Sequence, residues 1–198
     1  MNYEKGPHDL NFPAPSAPPG YSESPLPPSG FRLALNSAAE PGISDYDINR
    51  AGAAPFKDLD GSPIYLGSAL FTNDDNGVVK SVHPCKIGRH LQPPCQVPYG
   101  GGELGHRGRY DLLLFDENTM EWVETSHGHL PPGRTLVEGG YEESVHEKLY
   151  HAAGRVNNIL VPGKTGPHLG ACHVSFGGGE HTIRENYYIL CWKTPAKY

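Results

Sequence analysis

An internal duplication constrains the fold of this chain more than any other feature. Residues 97–103 read VPYGGGE, and residues 174–180 read VSFGGGE. Each copy has a cysteine upstream and a tyrosine downstream at the same distances, namely Cys95 and Tyr110 in the first and Cys172 and Tyr187 in the second. Self-similarity in a fixed order indicates that one unit was copied, so we expect a fold of two similar halves.

Further matches set the extent of the two units. They keep the same order in both copies, and pair Tyr46, Gly52, Pro55, Ile64, Tyr65 and Lys86 with Trp122, Gly128, Pro131, Leu149, Tyr150 and Lys164. The sequence therefore predicts repeat one at 46–115 and repeat two at 122–192. The first copy is longer between its tyrosine and its lysine, where residues 73–77 read NDDNG and predict a hairpin tip.

The hydrophobic pattern is typical of strands. Short segments rich in β-branched and aromatic residues are bounded by Gly, Pro, Asn or Asp at 109–115, 120–125, 171–176 and 186–192. We interpret residues 142–150 as a loop followed by a strand. A unit of about 70 residues is marginal alone, so the two halves should share one core. The prediction is an all-β fold: one compact antiparallel domain at 31–198 with internal pseudo-two-fold symmetry.

The N-terminal 30 residues differ in composition from the rest. Eight of the 20 prolines lie there, among few aliphatic residues. Such a segment buries too little apolar area to offset the entropy of ordering it. We therefore predict a Pro-rich extended tail at residues 1–30.

Charge and hydropathy exclude some classes of function. The net charge is −6, with 16 basic against 22 acidic residues, so no basic surplus exists to bind a nucleic-acid backbone. No apolar run is long enough to span a membrane, and the first residues do not resemble a signal peptide. The expected location is cytoplasmic, with vesicle association or unconventional secretion as alternatives. In a reducing compartment the four cysteines are expected to be structural thiols.

Repeat two carries a resemblance to a known family. The residues that carry it are Trp122, Gly128, Pro131, Gly139, Gly140, Leu149, Tyr150, Ala153, Pro162, Gly163, Lys164, Cys172, the segment 177–181 and the segment 188–190. This pattern resembles the DM-nine repeat family, whose members carry two such repeats in tandem. Repeat one is looser, because Tyr46 replaces the tryptophan and Cys85 replaces the glycine before the lysine.

The resemblance implies a binding protein. Some family members are mannose-specific lectins of innate immunity, often dimeric, and others are intracellular proteins that move to vesicles. In the family's sugar sites, an acidic residue after a Gly-Gly pair and the lysine after a proline bind the ligand. Carried over, these roles fall on Lys164 with Glu142 or Glu143, and in repeat one on Lys86 with Asp58 or Asp60.

Each of these residues also has a plain structural interpretation. A lysine that follows a turn is by default solvated. Glu103 and Glu180, after the glycine triplets, are candidate ligand contacts, but they also suit the capping of free backbone N–H groups in a Gly-rich turn. The four repeat tyrosines and Trp122 are expected to pack in the core or between the repeats.

Metal and catalytic chemistry receive little support. The 11 histidines are scattered, and only His127 and His129 have a spacing that places two imidazoles on one face of a strand. Cys172 and His173 are adjacent and should therefore point to opposite faces. We predict no metal site, no cofactor and no enzymatic activity.

The tail carries two overlapping short motifs. Residues 15–18 read PSAP, the motif read by ubiquitin-variant domains of the membrane-sorting machinery, and residues 18–21 read PPGY, a WW-domain ligand. The motif residues are Pro15, Ser16, Ala17, Pro18, Pro19 and Tyr21. The alternative hypothesis is therefore a vesicle-associated adaptor, with such domains as partners beside a mannose-type glycan and a second copy of the chain.

Overall fold

The computed structural model describes residues 27–37, 43–73, 77–143 and 147–194. Within these ranges the chain forms 14 strands and one α-helix. The first half comprises β1 (Arg32–Asn36), α1 (Asp45–Ala51), β2 (Phe56–Lys57), β3 (Pro63–Thr72), β4 (Val79–Ile87), β5 (Cys95–Tyr99), β6 (Gly102–Gly105) and β7 (Arg109–Leu113). The second comprises β8 (Met120–Thr125), β9 (Glu138–Tyr141), β10 (Lys148–Val156), β11 (Ile159–Thr165), a 3₁₀ turn (Pro167–Leu169), β12 (Cys172–Phe176), β13 (Gly179–Ile183) and β14 (Tyr187–Trp192).

The strand order displays the duplication. Neighbouring strands run β1-β7-β3-β4-β5-β6-β13-β12-β11-β10-β14-β8, so the second half repeats the order of the first in reverse. β3 and β4 correspond to β10 and β11, while β5, β6 and β7 correspond to β12, β13 and β14. The predicted all-β fold with internal pseudo-two-fold symmetry is confirmed.

The sheet closes on itself. β9 pairs with β10 through Lys148↔Tyr141 and with β4 through Val82↔Tyr141, and so bridges the two halves. β4, β5, β6, β13, β12, β11, β10 and β9 therefore form a closed ring of eight strands. Closure leaves no free edges within that ring, and the remaining strands extend the sheet outside it.

The pseudo-two-fold axis passes between β6 and β13. Gly102 faces Gly179 in the register, the Glu103 amide donates to the Gly178 carbonyl at 3.2 Å, and the Glu180 amide donates to the Gly101 carbonyl at 3.2 Å. These reciprocal bonds join the two Gly-rich turns. The repeated glycines are required here because the second glycine of each turn, Gly101 or Gly178, has a φ near +85°.

Three apolar clusters form the core. One lies in each half, and the third combines both, with Ile64, Leu66 and Leu113 from the first half packed with Ala153 and Leu190 from the second. Tyr65, Tyr110 and Tyr187 are buried as expected, whereas Tyr150 and Trp122 are half-buried. All four cysteines are buried free thiols.

The predicted strands match β7, β8, β12 and β14 closely, and a strand follows residue 142 as expected. The tip of the predicted 73–77 hairpin lies largely outside the described residues, but β3 and β4 on either side of it pair antiparallel. The match of Tyr46 with Trp122 was wrong in structural terms. Tyr46 is exposed in α1, whereas Trp122 lies in β8, the counterpart of β1.

Helix α1 was not predicted. It begins with a capping box, in which the Ser44 hydroxyl accepts from the Asp47 amide and the Asp47 carboxylate accepts from the Ser44 amide. This local pairing satisfies free N–H groups at the start of a short helix.

The end of the predicted tail is attached to the domain. The Pro28 carbonyl accepts from the Glu138 amide at 3.0 Å and from Trp192 Nε1 at 3.4 Å. Arg32 then ties the halves together, because it donates to Ser68 Oγ of the first and to the Glu138 carbonyl of the second. The motifs at residues 15–21 lie outside the described residues. No helix in the described ranges is both long and apolar enough to cross a membrane.

Candidate functional site

Two equivalent lysines lie inside the fold, one in each half. Lys86 is on β4 and Lys164 is on β11, and only 4% and 5% of each is exposed. The expectation that they are solvated turn lysines was wrong. The prolines before them lie within the same strands, Pro84 in β4 and Pro162 in β11.

Lys164 faces an open cleft of about 550 Å³. The first half supplies Ser81, His83, Tyr99 and Gly100 to its lining, and the second half supplies Glu142, Glu143, Lys164, Leu169, His173 and Glu180. The cleft is therefore composite, and neither repeat could form it alone. It brings together four residues that the sequence singled out: Glu142, Glu143, Lys164 and Glu180.

The Lys164 ammonium is held loosely. Its Nζ lies 3.4 Å from His83 Nδ1, 3.8 Å from Glu142 Oε1 and 5.4 Å from the centre of the Tyr99 ring. Burial lowers the pKa of Lys164, and the negative charges of Glu142 and Glu180 oppose that effect. A lysine with no short ion pair keeps N–H donors that a ligand can use.

His83 is a neutral acceptor for this lysine. Burial, followed by the positive charge of Lys164 and the neighbouring His106, lowers the pKa of His83 to about 3. The ring is therefore uncharged at physiological pH, and its Nδ1 can accept a hydrogen bond from Nζ. His83 orients the ammonium without neutralising it.

The acidic wall of the cleft is built around Glu142. Besides Lys164, it contacts His168 Nε2 at 3.7 Å through its second oxygen, and His168 Nδ1 lies 2.8 Å from Glu147. Glu143 stands at the rim, 3.7 Å from Lys80. Glu142 is therefore oriented from two sides while its carboxylate stays partly exposed.

Tyr99 gives the cleft an aromatic surface. It is 44% exposed, and its ring stacks on Phe71 at 5.3 Å and meets the His83 ring edge-on at 5.1 Å. The Phe71 ring in turn contacts the His106 ring at 5.1 Å. A braced, exposed ring is the kind of surface on which the apolar face of a small ligand packs.

The equivalent position around Lys86 is closed. Lys86 Nζ forms a 2.5 Å ion pair with Glu103 Oε1 and lies 5.6 Å from the Phe176 ring. The space beside Lys86 is only about 10 Å³, which is at the lower limit of the volume that holds one water molecule. Apart from Lys57, Asp58 and Lys86, its lining is apolar, namely Ile64, Ile159, Leu160, Val161, Pro162 and Phe176.

Asp58 and Asp60, the acids assigned to repeat one, have different environments. Asp58 lines the closed space near Lys86 and binds His90 Nε2 at 2.9 Å. Burial acts to raise the pKa of Asp58, but the hydrogen bonds from His90 and the Leu59 amide, with the charge of Lys86, lower it overall. Asp60 lies outside this space and accepts from the Ser62 amide in its own loop.

Glu103 and Glu180 do cap backbone N–H groups, as their structural interpretation required. The caps are exchanged between halves: Glu103 accepts from the Gly178 amide and Glu180 from the Gly101 amide, both at 2.7 Å. The second oxygen of Glu103 holds Lys86, whereas that of Glu180 lies 3.3 Å from His173 Nδ1.

His127 and His129 do not share a strand face. β8 ends at Thr125, and His127 lies in a turn with a φ of +54°. Across the described residues, no group of three His, Cys, Asp or Glu side chains is arranged to hold a metal ion. Cys172 is fully buried while His173 faces the cleft, so the two do point apart.

Sequence reasoning missed Ser81, His83, Tyr99 and His173 as cleft residues. One signal was available, because an aromatic residue precedes the glycine triplet in both copies, as Tyr99 and Phe176. Ser81, His83 and His173 gave no such signal, because the other repeat has different residues at these positions. Their counterparts are Ile159, Val161 and Gln96, in that order. A search for shared residues therefore passed over them.

Comparison with known proteins identifies the family. The DM9 repeat model matches residues 58–197, well over half of the chain. The chain belongs to the DM9 repeat family. Membership supports a lectin-like binding module, in agreement with a cleft that has polar donors and an exposed aromatic ring.

Among solved structures, the crystal structure of the nematode sperm cell motility protein MFP2B is similar to this DM9 repeat protein. The sequence identity is 13% and the TM-score is 0.46. The match covers 92% of this chain but 51% of that one, so this chain spans about half its length. No curated protein matches the sequence.

Proposed function

We propose that this DM9 repeat protein recognises mannose-type glycans in the Lys164 cleft and serves in pattern recognition. The observation that carries the proposal is the arrangement of three groups around one open space: a loosely held ammonium, a partly exposed carboxylate and an exposed ring. Lys164, Glu142 and Tyr99 supply them.

A hexose has complementary groups. Its vicinal hydroxyls both donate and accept, so Lys164 donates to one oxygen while Glu142 accepts from a neighbouring hydroxyl. The C–H face of the ring is apolar and packs against Tyr99. His83, neutral and fixed behind Lys164, directs the ammonium toward the open space.

The expected affinity for one sugar is weak. A few hydrogen bonds and one ring contact in a solvated cleft correspond to a dissociation constant of about 1 mM, or roughly −4 kcal/mol. Only one of the two equivalent positions is open, so avidity has to come from a second copy of the chain or from a multivalent glycan.

The test is a titration of the full chain with mannose by isothermal calorimetry, supported by a glycan array. Lys164→Met removes the ammonium at nearly constant volume and should weaken binding at least about tenfold. Lys86→Met, titrated at a temperature at which circular dichroism shows it to be folded, is the matched control, because it removes the equivalent charge from the closed position and should leave affinity unchanged. Equal affinity of wild type and Lys164→Met for mannose would refute the proposal.

A second candidate function concerns the tail. The overlap of residues 15–18 (PSAP) with residues 18–21 (PPGY) favours an adaptor that recruits sorting or WW-domain proteins to vesicles in the cytoplasm. Capture of the full chain by an immobilised WW domain should be lost in Tyr21→Ala. Retained capture would argue against this role.

A further inference from the structure

Glu103 and Glu180 occupy equivalent positions but bind different partners. Each uses one oxygen to accept a backbone N–H from the opposite Gly-rich turn at 2.7 Å. The other oxygen of Glu103 binds Lys86 at 2.5 Å. The other oxygen of Glu180 lies 3.3 Å from His173 Nδ1. One carboxylate therefore neutralises its lysine, and the other is directed to a histidine.

The residue beside each glutamate explains the difference. Gln96 and His173 are equivalent positions on β5 and β12, and each pairs in register with its lysine, as Lys86↔Gln96 and Lys164↔His173. Gln96 donates its amide to the Pro93 carbonyl at 2.9 Å and so leaves Glu103 to Lys86. His173 instead presents Nδ1 to Glu180.

We propose that His173 is a positioning residue that keeps Lys164 available to a ligand by engaging Glu180. The inference rests on the proposed function of the cleft, and it assigns a cause to the open state of that cleft. Without His173, Glu180 would approach Lys164 as Glu103 approaches Lys86, and the ammonium would lose its free donors.

His83 completes the arrangement. Its counterpart Val161 offers no hydrogen bond, and Lys86 is held instead by the short ion pair with Glu103. Lys164 has a weak neutral acceptor at 3.4 Å and a carboxylate at 3.8 Å. Burial, with the positive charge of Lys164, lowers the pKa of His173 against the opposing charge of Glu180, so the environment of the ring disfavours a further positive charge in the cleft.

The decisive variant is His173→Gln, which gives the cleft the residue found beside Lys86. Two readouts are used: mannose affinity, and the acylation rate of Lys164 by acetic anhydride followed by peptide mass spectrometry. A short ion pair protects an amine, so we expect acylation of Lys164 to slow about tenfold, toward the rate of Lys86. Mannose affinity should fall about fivefold or more. His129→Gln, an exposed histidine outside the cleft, is the control and should change neither readout.

A second variant separates positioning from simple damage. In His173→Gln/Glu180→Gln the Glu180 carboxylate can no longer capture Lys164, Glu142 keeps its place 3.8 Å from Nζ as in the wild type, and the glutamine oxygen can still accept from the Gly101 amide. Both readouts should recover to within about threefold of wild type. Unchanged acylation in His173→Gln, or no recovery in the double variant, would overturn the proposal.

The acylation readout does not depend on a sugar. If the wild type binds no glycan while His173→Gln still slows acylation of Lys164, the proposed function fails and the positioning role stands. If the wild type and His173→Gln bind mannose equally, the positioning role fails and the proposed function stands.

Discussion

The two lysine positions began as copies of one another and now differ in almost every neighbour. Lys86 lies in a filled space with a 2.5 Å ion pair to Glu103, while Lys164 borders an open cleft with its nearest carboxylate at 3.8 Å. The strands that carry the two lysines occupy equivalent places in the two halves. What differs is the set of side chains that each half contributes to the other's lysine.

This exchange between halves is the main lesson of the comparison. Ile159 and Val161 of the second half close the position of Lys86, and their counterparts Ser81 and His83 leave that of Lys164 open and polar. In this duplicated fold one buried lysine is closed into an ion pair, and its counterpart borders an open cleft. The proposals above follow from that division.

The largest difference should appear in stability. In Lys86→Met, Glu103 loses its partner inside the fold, and we expect the free energy of unfolding to fall by about 3–5 kcal/mol. In Lys164→Met a weaker contact is lost at nearly constant volume, and the cost should stay below about 1.5 kcal/mol. Urea denaturation of both variants measures the difference. Similar losses would mean that the two lysines are used alike.

The pH dependence of stability sharpens the comparison further, because a histidine supports only one of the two lysines. The pKa of His83 is about 3 in the folded protein and near 6.5 in the unfolded chain. Between these values the unfolded state binds more protons, so stability is full above pH 6.5 and is lost as the pH falls toward 3.

His83→Val installs the residue found at the other position and removes this titration. Between pH 6.5 and 5, the loss of unfolding free energy should become shallower by about 1.1 kcal/mol per pH unit on average, as measured by urea denaturation at several pH values. His151 is also buried with a pKa well below 6.5, so a residual slope remains in the variant. His129→Val should keep the wild-type slope. An unchanged slope in His83→Val would show that His83 binds its proton as readily in the folded protein as in the unfolded chain.

The sequence predicted the architecture well because two copies of one sequence unit fold into two similar structural halves. Matched turns, cysteines and tyrosines recur as matched strands and core residues, and periodicity located β8 and β14 almost to the residue. Helix α1 escaped because it is set by one local capping box, and the Tyr46 match failed because short spacing patterns do not distinguish a helix from a strand.

The site was predictable only in part, for a related reason. The lysines and glutamates that both copies share could be named, but whether each lysine is buried, paired or open depends on contacts with the opposite half. Those contacts arise from ring closure through β9 and from the seam between β6 and β13, where residues distant in sequence meet. Residues that differ between copies, such as His83 and His173, line the cleft but leave no repeat signal.

The smallest expected effect concerns the two aromatic residues that face the lysines. Tyr99 covers Lys164 from the first half and is exposed, whereas Phe176 covers Lys86 from the second half in a filled space. Tyr99→Ala should weaken mannose binding about fivefold, equivalent to roughly 1 kcal/mol of ring contact, while costing little stability. Phe176→Ala should do the reverse and lower the melting temperature with unchanged affinity. Calorimetric titration with mannose and thermal unfolding of both variants provide the four measurements.

If Phe176→Ala also altered mannose affinity, the position of Lys86 would have to be open to ligand in solution, and the division between the two halves would no longer hold.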